Sequence, residues 1–187
     1  AFLGRLYADR THFVFELLQN AEDACERDKK LQTAKKYFAS FELFSDRLVM
    51  RHNGIPFDEK DVRGISGVGE GTKETDLTQI GKFGIGFKSV YAYTQTPEIY
   101  SGTEAFRIEH YVRPYGIPSK NVGTETEFVF PFNHQSVTAE AAFKEIAKRL
   151  RGLGSRTLLF LGNVKEISWR IEGIGSGIYI RDPKPVS

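Results

Sequence analysis

From Thr11 to about Lys30, apolar residues recur at helical spacing, and no other segment of the chain restricts its fold as strongly. Phe13, Leu17, Ala21 and Ala24 form one line, and Val14 and Leu18 widen it. At ~100° per residue, Glu16, Asn20 and Asp23 fall within an arc of roughly 60° beside that stripe. The helix thus presents a carboxylate, an amide and a second carboxylate along one edge of its core-facing side. Polar residues at i, i+4 and i+7 are also what any solvated helix face offers, so this pattern gains meaning only from the glycine-rich segments downstream. Glu22, Glu26, Arg27 and Lys29 read as solvent-side groups.

Beyond the helix, the aromatic-rich Lys36–Phe44 and then Leu48–His52 read as strands around the turn residues Ser45-Asp46-Arg47, a hairpin pattern. Asn53-Gly54-Ile55-Pro56-Phe57 ends the second strand, because proline cannot continue it and glycine admits a close backbone approach. Asp58 is placed to cap a short helix over 59–65. Residues 66–80 are polar, with three glycines in five positions, and read as a surface loop or as a lid over a bound anion with Thr72 and Lys73 as donors.

Gly81-Lys82-Phe83-Gly84-Ile85-Gly86-Phe87 then runs into a helical pattern over 87–93. Glycine-rich backbone at a helix start offers unpaired N–H groups and the positive end of the helix dipole to an anion. The spacing is neither a Walker loop, since Phe83 follows Gly81-Lys82, nor a dinucleotide fingerprint. Further strands are expected at 98–101, 104–112, 125–131, 157–161, 166–171 and 178–181, with an amphipathic helix over 138–151. Residues 113–122 read as a Pro/Gly loop, and Gly123-Thr124 opens the next strand. Trp169 reads as core.

The charge balance of 26 basic against 24 acidic residues, net +2, gives no electrostatic argument for nucleic acid or an anionic membrane. No run approaches a membrane span, and four scattered histidines with one cysteine make no zinc spacing. The single Cys25 fits a reducing, cytoplasmic compartment. A start at Ala1 without methionine and an end in Pro-Lys-Pro-Val-Ser are expected of a piece of a longer protein.

Glu16-x-x-Gln19-Asn20-Ala21-x-Asp23-Ala24 resembles the first signature box of the GHKL ATPases. His52-Asn53-Gly54-Ile55-Pro56-Phe57 lies where the second box should be, 81–87 resembles the lid-end box, and Gly123-Thr124 the last. The style of the lid-end box is closest to the sacsin-like and heat-shock chaperone branches. The resemblance spans roughly 5–132. It implies an α+β Bergerat fold: a two-layer α/β sandwich whose mixed, mostly antiparallel sheet carries helices on one face, with a mobile lid at about 66–80. Residues 133–187 would complete or extend the same domain.

The resemblance implies ATP and Mg²⁺ as cofactors, with Glu16 as general base and Asn20 as the Mg²⁺ ligand. Asp23 would support the site. Gly81, Gly84, Gly86 and Phe87 would form the phosphate cradle, with Lys82 or Lys73 adding charge and Thr72 a donor from the lid. Gly54 would lie against the base. Thr124 would help to hold adenine.

The adenine-reading Asp of the family is replaced by His52, followed by Asn53. A neutral imidazole or an amide each offers one acceptor that could substitute for the carboxylate. The expected partners are ATP or ADP, downstream domains of the same polypeptide and a second copy in a homodimer. Three functions compete: an ATPase module of a chaperone-like or defence-type protein, a nucleotide-binding switch or scaffold with little hydrolysis, and a kinase. No phosphoacceptor helical hairpin supports the third.

Overall fold

A computed structural model describes residues 10–31, 35–66 and 86–181. Its frame is one eight-stranded sheet: β1 (Tyr37–Leu43), β2 (Arg47–His52), β3 (Glu98–Ser101), β4 (Glu104–Glu109), β5 (Arg113–Gly116), β6 (Thr126–Pro131), β7 (Val164–Ile171) and β8 (Gly175–Ile180). The order across the sheet is β5-β4-β3-β6-β2-β1-β7-β8. Every neighbouring pair is antiparallel except β1 with β7. The architecture is the α+β, two-layer arrangement that the resemblance implies.

Helix α1 (Phe13–Leu31), entered through a 3-10 turn at Arg10–His12, is followed by the short helix α2 (Glu59–Ser66) and by α3 (Ala139–Arg151). Helices α1 and α3 pack on one face of the sheet. Asp58 and Asp61 cap the start of α2 reciprocally, each carboxylate accepting from the other residue's backbone N–H at 2.9 and 3.0 Å. Thr138 caps α3 through Ala141 N–H. Among the described residues, no helix is long and apolar enough to cross a membrane.

The core lies between α1, α3 and the inner strand face. Phe13, Leu17, Leu18 and Ala21 of α1 meet Phe41, Met50, Phe128 and Phe130 of the strands, all nearly fully buried. The strict alternation of β1, with Tyr37, Ala39, Phe41 and Leu43 inward, reflects a sheet covered on one side. The other side carries a charged ladder: Arg170 pairs with Glu42, Glu42 with Arg51, Arg51 with Glu127, and Glu127 with Lys120.

Four expectations are corrected. The strand expected through Val112 ends at Glu109, and the expected loop at 113–122 begins with strand β5. His110 and Tyr111, both at positive φ, make the intervening turn, with Val112 N–H donating to the Glu109 carbonyl. Such turns usually carry Asn-Gly. Here Tyr111 is held by an edge-on contact with Tyr91 at 4.7 Å. The expected strand at 157–161 is a 3-10 turn, Ser155–Phe160. Its apolar run enters the core only in part, for Leu158 and Leu161 are buried while Leu159 and Phe160 are exposed. The helix expected at 87–93 is a short, mostly 3-10 segment ending at Ala92.

The fourth correction concerns Glu22, which is buried rather than solvent-side. Its carboxylate accepts from the backbone N–H groups of Gly162, Asn163 and Val164 at 2.7–2.9 Å, and from Asn163 Nδ2 at 2.8 Å. Val164 opens β7, which forms the parallel pair with β1. Glu22 therefore ties the entry of β7 to α1. Removing the carboxylate leaves the buried Val164 N–H and two part-buried backbone donors without this acceptor, and a buried unpaired donor costs about 1–3 kcal/mol. Glu22→Ala is expected to lower unfolding stability by about 3 kcal/mol or more, read as a lower urea midpoint; an unchanged midpoint contradicts this role.

Candidate nucleotide site

Helix α1 contributes the edge that the sequence pattern indicates. Asn20 is buried, and Glu16 and Asp23 are half-buried. Asp23 accepts from Gln19 Nε2 at 3.0 Å. Glu16 Oε1 lies 3.2 Å from His12 Nε2, one turn earlier on the same face. His12 is not among the residues singled out from the sequence, although its i, i+4 spacing to Glu16 is visible there.

Two glycines bring other segments onto this helix. A Cβ at Gly54 would stand 2.7 Å from the backbone of Ala24 and Cys25, and Ile55 N–H donates to the Ala24 carbonyl at 3.1 Å. Only glycine allows the 52–57 segment so close. A Cβ at Gly86 would stand 2.2 Å from Glu16 Oε2. Gly86, the last glycine of the glycine-rich stretch, thus lies directly on the carboxylate of Glu16. Gly81, Lys82, Gly84, Thr72, Lys73 and most of the 66–80 segment lie outside the described residues. The Phe87 ring is fully buried against Phe128 and Phe130, so this residue has only its backbone for a ligand.

Across the sheet, β2, β6 and β3 set His52, Thr126 and Ser101 side by side, in register and each fully buried. Ser101 Oγ accepts from Phe57 N–H at 2.9 Å and bonds Thr126 Oγ1. Thr126, not Thr124, is therefore the hydroxyl residue beside His52. Thr124 is exposed in the turn before β6, two residues too early to reach the sheet.

The two acceptors offered in place of the family's Asp are already engaged. Asn53 Oδ1 accepts from Phe38 N–H at 2.9 Å, and its Nδ2 donates to the Lys36 carbonyl at 2.9 Å, so this side chain pins the start of β1. His52 Nδ1 accepts from Gly54 N–H at 3.1 Å. Among the described residues, His52 Nε2 and Asn20 Nδ2 are two of the buried polar atoms that have no hydrogen-bond partner. Asn20 lies one turn before Ala24, where Gly54 is seated, so both orphans belong to the layer between α1 and the sheet. Cys25 is fully buried there, and burial pushes its thiol up to about 12, which leaves it a packing group rather than a nucleophile. Among the described residues, no three His, Cys, Asp or Glu gather as a metal site.

These features define a two-layer α/β domain with an acidic helix, a glycine-rich approach to its carboxylate and unpaired polar atoms beneath. The Sacsin domain profile matches residues 4–110, more than half of the 187-residue chain. The chain belongs to the Sacsin domain family. It is 35% identical over 105 residues to Sacsin of Homo sapiens and 32% identical over 123 residues to Protein NO VEIN of Arabidopsis thaliana. It is 33% identical over 116 residues to Chaperone protein HtpG of Borreliella burgdorferi. These matches cover 52%, 63% and 51% of the chain but only 2%, 4% and 19% of the relatives. The resemblance to the sacsin-like and heat-shock chaperone branches of the GHKL ATPases is thereby shown.

Burial lowers the His52 pKa from the ordinary 6.5 to about 4, with Lys35 adding to the shift. The folded state therefore favours neutral imidazole. That stabilisation is complete above 6.5 and is lost as pH falls towards 4. His52 should account for roughly 2–3 kcal/mol of lost stability between pH 7.5 and 4.5. Urea unfolding of wild type and His52→Asn at both pH values checks this; equal pH dependence in the two proteins contradicts it.

Proposed function

We propose that the chain is the nucleotide-binding and hydrolysing module of a larger, chaperone-like protein. The observation that carries this reading is Gly86 lying on the Glu16 carboxylate, which joins the glycine-rich segment to the acidic helix at one point. ATP is the nucleotide that the family resemblance implies. Glu16 would accept the proton of the attacking water. His12, 3.2 Å away, would hold the orientation of that carboxylate. Backbone N–H groups near Gly86 would face the phosphates, where developing negative charge needs fixed donors.

The residues fit a Mg²⁺–nucleotide complex. Asn20 is buried on α1, with its Nδ2 unpaired among the described residues, and its side-chain oxygen would be the protein ligand to an ion whose other ligands are phosphates and water. When bound, Mg²⁺ supplies neutralisation of phosphate charge. Asp23 would orient water at the site. Downstream domains of the same polypeptide, a homodimeric arrangement and release of ADP belong to this reading. A switch that binds nucleotide without useful turnover is the second reading, favoured by the engagement of both His52 Nδ1 and Asn53 Oδ1 in protein hydrogen bonds.

Hydrolysis by the longest polypeptide that carries the chain separates the two. Glu16→Ala should reduce turnover by roughly 100-fold or more while leaving Mg²⁺–ATP affinity within about threefold, since a general base acts chiefly in the transition state. Asn20→Ala should weaken binding only when Mg²⁺ is present. Turnover unchanged in Glu16→Ala overturns the catalytic assignment.

A further inference from the structure

The imidazole of His52 is fully buried, and Gly54 N–H donates to its Nδ1. A nitrogen that accepts a hydrogen bond carries no proton, so the proton of the neutral ring is on Nε2. Nε2–H is thus a donor, buried and without a partner among the described residues. Thr126 Oγ1 beside His52 is bonded to Ser101. Unpaired buried donors are costly, and the group that relieves the cost must present an acceptor.

We propose that His52 is a specificity-determining residue that reads a hydrogen-bond acceptor on the nucleobase, so that a 6-oxopurine nucleotide is preferred over adenine. This rests on the nucleotide-site reading above and adds the chemistry of the base. A carboxylate at this position accepts from an exocyclic amine. Nε2–H set against that amine would place donor against donor. A 6-oxo group at the same edge accepts the proton instead. The Gly54 N–H fixes the sense of this choice, because the tautomer cannot reverse without breaking the backbone hydrogen bond. Sites built on a buried hydrogen bond discriminate strongly against a ligand that cannot complete it.

Inosine triphosphate is the direct probe, since it places an oxygen where ATP has the amino group and lacks the 2-amino group of guanine. Calorimetric titration of the chain with Mg²⁺–ITP and Mg²⁺–ATP should give at least tenfold tighter binding of ITP. His52→Asp should reverse the order. Long-range ¹H–¹⁵N spectra of the free protein at pH 7 should show His52 protonated at Nε2 only. Equal affinity, tighter ATP binding in wild type, or a proton on Nδ1 overturns the inference and leaves the nucleotide site standing. No binding of either nucleotide at millimolar concentration overturns the nucleotide site and this inference together. Should His52→Asp fail to fold, the wild-type comparison and the spectra decide alone.

Discussion

Two backbone segments approach helix α1 so closely that a side chain on either would collide with it. Gly54 rests on the Ala24–Cys25 peptide, and Gly86 on the Glu16 carboxylate. Everything proposed for the site depends on that closeness. It sets β2 and its exit loop under the helix, and it brings the end of the glycine-rich stretch to the one carboxylate placed to take a proton. The same helix supplies much of the core through Phe13, Leu17, Leu18 and Ala21, so site and core are positioned by one rigid body.

That double duty explains the distribution of buried polar groups. Glu22 is fully partnered by the chain that opens β7, and Asn53 by the start of β1. Both are fastenings. Asn20 and His52 each keep a buried polar atom without a partner among the described residues. A folded protein rarely leaves such atoms unpaired without a ligand or water to meet them. The contrast between polar residues that fasten and polar residues that wait separates the architecture of this site from its chemistry.

Helix α1 is legible in the sequence because its apolar repeat is long, and β1, β2 and β6 are legible as short apolar and aromatic runs bounded by turn residues. The signature boxes also bring Glu16, Asn20 and Gly86 into one hypothesis. The role of Glu22 is hidden because its partners are some 140 positions away, although its i, i+4, i+7 line with Leu18 and Cys25 is a readable sign of burial. Thr124 and Thr126 cannot be told apart from sequence, since only the register against His52 decides which hydroxyl faces the helix. His52 looks like a possible acceptor because a neutral imidazole has one; only the Gly54 N–H reveals that it is already taken. The apolar run at 157–161 misleads because hydrophobic composition does not say whether a segment finds a cover.

The central claim is that nucleotide is held between α1, the 52–57 segment and the backbone at Gly86. Amide hydrogen exchange, measured with and without saturating Mg²⁺–ATP or Mg²⁺–ITP, tests it most directly. The account predicts slowed exchange at 52–57 and 86–90, with the outer strands β5 and β8 unchanged. Protection confined to β7 and β8, or none anywhere at saturating nucleotide, would contradict it.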